Sequence, residues 1–62
     1  MFNVFDELGF AQFESDFPSR EVAQEMAHSV YEITDAELED IQLYVGTHDD
    51  AQRGECVFVP RA

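Results

Sequence analysis

Between Pro18 and Thr34 the apolar residues Val22, Ala23, Met26, Ala27, Val30 and Ile33 recur at steps of three and four. Arg20, Glu21, Gln24, Glu25, His28, Ser29 and Glu32 fill the other side. This periodicity predicts an amphipathic helix of about 14 residues. Ser19 stands where a hydroxyl can cap the first exposed amides, and Glu21 suits the positive end of the helix dipole. A helix with one apolar face needs a surface to cover. The segments on either side must build that surface.

Phe2-Asn3-Val4-Phe5 has the aromatic and β-branched character of a strand. Asp6-Glu7-Leu8-Gly9 follows with turn residues at both ends, and Phe10 to Glu14 resumes a strand-like composition. Residues 2–14 therefore read as a β-hairpin. Thr34-Asp35-Ala36-Glu37 has the capping-box pattern, which opens a short second helix over Asp35–Asp40 or belongs to a solvated acidic loop. Ile41 to Val45 alternates as a strand with Ile41, Leu43 and Val45 inward. Gly46 to Gly54 reads as a polar loop, and Cys56 to Val59 as a closing strand before Pro60.

The order β-β-α-β-β points to a single α+β domain over residues 1–62, a small antiparallel sheet with one helix packed on it. Phe5, Phe13, Tyr44 and Phe58 are candidates for the opposite sheet face, where they would form a dimer seam or partner patch, or else for the core. A chain of 62 residues buries only about 60% of its unfolded surface. A homodimer would add the buried area that one small core lacks. An apolar content of 45% argues against disorder despite the charge. The single Cys56, with no signal peptide, leads to the expectation of a reducing cytoplasm. No apolar run approaches the roughly 20 residues that span a bilayer.

Catalytic chemistry has little footing. His28 falls on the polar side of the helix, and His48-Asp49-Asp50 reads as a solvated loop tip, since three neighbours rarely converge on one ion. Cys56 has no adjacent base, and no phosphate-cradling glycine loop or calcium-loop pattern is present. The expectation is a protein that is not an enzyme and carries no metal or cofactor.

What the chain does carry is charge. Fourteen Asp and Glu face only Arg20, Arg53 and Arg61, without a single lysine, for a formal net charge of -11. That exceeds the magnitude of about 2–8 that solubility asks of a small domain. Glu21, Glu25 and Glu32 line one stripe of the helix, and Asp35, Glu37, Glu39 and Asp40 form the densest cluster. Glu21 and Glu25 repel across one turn by about 0.2–0.5 kcal/mol, and no lysine relieves them. Three readings fit. The carboxylates imitate nucleic-acid phosphates and occupy a basic groove, or they adapt a domain to high salt. Alternatively, they only solubilise a module that binds its partner through aromatics.

The Asp/Glu surplus, the lack of lysine and the stretch Thr34-Asp35-Ala36-Glu37-Leu38-Glu39-Asp40 give the chain a resemblance in size and composition. It resembles the small acidic anti-defence proteins of phages and mobile elements, the DNA-mimicking anti-CRISPR and antirestriction proteins. The resemblance implies a non-enzymatic inhibitor acting in the host cytoplasm. Its partner would be the basic nucleic-acid-binding surface of a CRISPR effector or restriction enzyme. Direct contact with nucleic acid or a membrane is not expected. The residues implied in contact are Glu21, Glu25, Glu32, Asp35, Glu37, Glu39 and Asp40.

Overall fold

The expected helix forms as α1, Arg20–Ile33, 14 residues long. The Val22 amide donates to the Ser19 hydroxyl at 3.2 Å, which satisfies one exposed donor of the first turn. The structure, a computed structural model, describes residues 1–33 and 41–61. The remaining elements are β1 (Asn3–Phe5), β2 (Leu43–Gly46), α2 (His48–Arg53) and β3 (Val57–Val59). The strands make one antiparallel sheet in the order β1-β2-β3, with α1 packed across it. The α+β class is therefore as expected. Val4 pairs with Val45, and Leu43 with Val59, so side chains of one parity share the face beneath α1.

That face is the core. Val4, Leu43, Val45 and Val59 pack with Ala23, Ala27 and Tyr31 of α1, and Ile41 lies half-buried against them. The apolar stripe is rotated from its expected position. Val22 is 37% exposed and Ile33 79% exposed, whereas the buried residues run i, i+4, i+8 through Ala23, Ala27 and Tyr31. Two alanines let the helix approach the sheet closely, and the tyrosine then reaches the strand ends. Its hydroxyl accepts from the Leu43 amide at 2.8 Å and donates to the Val59 carbonyl at 2.6 Å. One side chain thus holds helix and two strands together at the end of the β2–β3 ladder.

The N-terminal hairpin does not form as a ladder. The turn is present: Asp6 Oδ1 accepts from the Leu8 and Phe10 amides at 2.9 Å, and the Gly9 amide donates to the Asp6 carbonyl. Beyond it, residues 10–14 make no strand. They touch β1 through an isolated bridge between Phe5 and Ala11 and a bond from the Gln12 amide to the Val4 carbonyl. The buried Asn3 takes over, donating to the Phe13 carbonyl and to Asp16 and accepting from the Val4 amide. A polar side chain anchoring the neighbouring segment competes with ladder pairing. Phe2 and Phe17 then close the edge with a reciprocal pair of backbone bonds.

The expected loop over residues 46–54 contains α2 instead. The Asp50 amide donates to Thr47 Oγ1 and the Thr47 amide to Asp50 Oδ2, each at 3.0 Å, a reciprocal capping box. Gly54 ends the helix in the left-handed region at φ 71°, where glycine carries no steric penalty. The short helix proposed over Asp35–Asp40 lies outside the described residues.

Replacing Tyr31→Phe should lower stability by about 1–3 kcal/mol, because a buried amide and carbonyl lose their shared partner. Urea unfolding checks this, with a lower midpoint at unchanged slope expected. Gly46→Ala should also destabilise, by about 1–3 kcal/mol. A Cβ there would meet Cys56 Sγ at 2.8 Å and Asp50 Cβ at 3.0 Å. Thermal melts of the variant test it.

Candidate partner-binding surface

At 100° per residue, Glu21, Glu25 and Glu32 fall within about 40° of one another on α1, on the side away from Ala23 and Ala27. All three side chains are exposed. Over 11 residues at about 1.5 Å each, the stripe extends about 16 Å. Glu21 in the first turn agrees with the helix dipole. Glu32 opposes it, since it lies at the negative end and the last turn holds no basic residue. Local helix stability therefore explains the first of these glutamates and not the last.

None of the three arginines neutralises the stripe. Arg20 lies over the Phe2 ring, 5.0 Å from its centroid, and Arg61 over the Tyr31 ring at 4.8 Å. Arg53 approaches Glu55 at 3.7 Å. Among the described residues, Glu21, Glu25 and Glu32 enter no ion pair. Asp35, Glu37, Glu39 and Asp40 lie outside the described residues, so the structure places three of the seven expected contact residues.

The other carboxylates divide between structural and solvated roles. Asp16 bonds Asn3 at 2.9 Å and His48 Nε2 at 2.8 Å, and these bonds hold its carboxyl below the usual 3.8. Asp50 is lowered by the Thr47 backbone amide that it accepts from. Both are cap or clamp residues whose work is within the fold. His48, expected on a solvated loop tip, instead joins α2 to the first loop through Asp16 and packs edge-on against Phe5 at 5.4 Å. The signal for this helix was present as Thr47-His48-Asp49-Asp50, the cap spacing, with Gly54 as the stop.

The sheet face away from α1 is partly covered. Phe5 is buried there, while Tyr44 is half-buried and Phe58 is 47% exposed, their rings 5.5 Å apart. Phe13 is half-buried against the core and stacks edge-on with Phe17. A shallow cavity of about 300 Å³ opens beside this face, lined by Phe5, Asp6, Leu8, Tyr44, Ala51 and Cys56. Burial, and then the neighbouring Asp50 carboxylate, push the Cys56 thiol up. At neutral pH it stays protonated, which makes it a poor nucleophile. Among the described residues no group of three or more His, Cys, Asp or Glu is placed to hold a metal ion. Nor is any helix among them long and apolar enough to cross a membrane. No family model, curated protein or solved structure matches the chain.

A carboxyl lowered on folding stabilises the fold above its ordinary value and loses that contribution as pH falls through the lowered one. The thermal stability of wild type over Asp16→Asn should therefore be greatest above pH 3.8 and should close as pH falls further. Paired melts across acid pH check it. A difference that is constant with pH would show that the Asn3 and His48 bonds do not depend on the charge.

Proposed function

We propose that this protein is a non-enzymatic ligand for a basic, phosphate-binding surface of another protein, with its carboxylates standing where phosphates would lie. The observation that carries the reading is the outward stripe of α1. Glu21, Glu25 and Glu32 are exposed, aligned and unneutralised among the described residues, in a chain of net charge -11. Arginine and lysine side chains that grip phosphate oxygens grip carboxylates by the same charge-assisted bonds.

Spacing defines how far the helix serves. Phosphates of one DNA strand recur about every 3.4 Å along the axis. Three carboxylates over about 16 Å are sparser than that, so α1 meets a subset of the basic contacts. The denser run Asp35, Glu37, Glu39 and Asp40 follows α1 directly in sequence and supplies the rest. The resemblance noted above narrows the target to a CRISPR effector or restriction enzyme, whose capture of DNA would be blocked stoichiometrically. The single protonated thiol agrees with a reducing cytoplasm as the place of action.

The test is inhibition of duplex-DNA capture by a panel of such nucleases, read by gel shift. Wild type should inhibit at least one of them. The Glu21→Lys/Glu25→Lys/Asp35→Lys variant, with its circular dichroism unchanged, should lose inhibition at least tenfold, about 1.4 kcal/mol. Single reversals should have little effect, since the field is distributed. Equal inhibition by the triple variant contradicts the proposal.

A further inference from the structure

The two edges of the sheet are treated differently. On β1 the outward backbone groups are taken: the Val4 carbonyl accepts from the Gln12 amide at 2.7 Å, and Phe2 exchanges two bonds with Phe17. No such cover lies on β3. The Leu43 amide and Val59 carbonyl face each other across the Tyr31 hydroxyl, so β3 turns its odd-numbered residues toward β2. Alternation in an antiparallel pair then directs the amide and carbonyl of Phe58 to the free edge. They bond to no described residue. Val57 is 55% exposed and Phe58 47% exposed, so the edge is both open and apolar. An edge of this kind is a template for another strand.

We infer that β3 pairs edge to edge with β3 of a second copy, antiparallel and two-fold symmetric about Phe58. The residues flanking the strand argue for a second copy over another partner. In a pairing centred on Phe58, positions equidistant from it face each other. Val57 meets Val59, and Glu55 meets Arg61 of the second copy, at both ends by symmetry. The strand therefore carries opposite charges three residues either side of its centre and is complementary to itself, as an isologous interface requires. Glu55 is exposed and only loosely joined to Arg53 at 3.7 Å. Arg61 keeps its place over Tyr31, with guanidinium donors to spare for a carboxylate.

Phe58 amide and carbonyl exchange two bonds with their symmetry mates, and the two Phe58 rings meet beside Tyr44 on the face away from α1. The result is one six-stranded sheet with both α1 helices on the same side, which doubles the acidic stripe. Like net charge opposes the association, and a single strand is a small interface, so the dimer is weak, with Kd of about 10–100 µM. The inference stands on the edge geometry and holds whether or not the acidic face binds a basic partner.

Sedimentation velocity on the intact chain tests it, at concentrations up to about 1 mM, well above that Kd. Wild type should pass from the 7.1 kDa monomer to a species of twice that mass. Phe58→Pro removes an amide that β2 does not use and should weaken association about tenfold or more, with circular dichroism confirming the fold. Glu55→Arg and Arg61→Glu should each be monomeric alone and should associate when mixed, since only the mixed pair restores both ion pairs. A monomeric wild type overturns the inference, as does an undiminished Phe58→Pro dimer or a mixture that associates no better than its components.

Discussion

The Tyr31 hydroxyl occupies the point where helix, central strand and edge strand meet. It accepts from Leu43 and donates to Val59, so a single oxygen satisfies one buried group on each of two strands. These strands are only four and three residues long, and no disulfide supports them. A chain of this size has little margin, and an unpaired buried amide would take a large share of it. The same tyrosine fixes the rotation of α1. With Tyr31 committed inward, Ala23 and Ala27 follow it into the core, and Glu21, Glu25 and Glu32 are carried to the opposite side. The orientation of the acidic stripe is therefore a consequence of core packing.

Charge is distributed in two distinct ways over this frame. Asp6, Asp16 and Asp50 are absorbed by the fold, each accepting hydrogen bonds that shape a turn, clamp Asn3 or cap α2. The helix glutamates have no such role among the described residues. The arginines do not offset them, because Arg20 and Arg61 lie over aromatic rings and Arg53 approaches Glu55. A fold selected for stability alone would place a cation near Glu32, at the negative end of α1. The outer face thus keeps its full potential, and this is the property on which the proposed recognition depends.

Much of the architecture was legible from the residues. The three- and four-residue steps gave α1 its bounds, Ser19 its cap, and the alternation through Leu43 and Val45 the inward face of β2. Tyr31 was not recognised, because a residue with an apolar ring and a polar tip fits neither side of a two-letter pattern. Its spacing from Ala23 and Ala27 was the available clue. Helix α2 was missed because six residues without an apolar stripe resemble a loop, and only the Thr47–Asp50 box betrays it. The strand expected over residues 10–14 failed because composition cannot show that Asn3 would bond across and displace the ladder. For the candidate surface, periodicity placed Glu21, Glu25 and Glu32 together correctly. The open edge at Phe58 depends on which strands pair, which local sequence does not encode.

The central claim is that the outer face of this protein competes for the same basic groove as phosphate. Its most direct measure is the affinity for the inhibited nuclease across a series of salt concentrations, with and without duplex DNA. The account predicts that log K falls linearly with log salt, steeply enough to reflect several ionic contacts, and that DNA and protein displace one another. An affinity indifferent to salt, or simultaneous binding of DNA and protein, would contradict it.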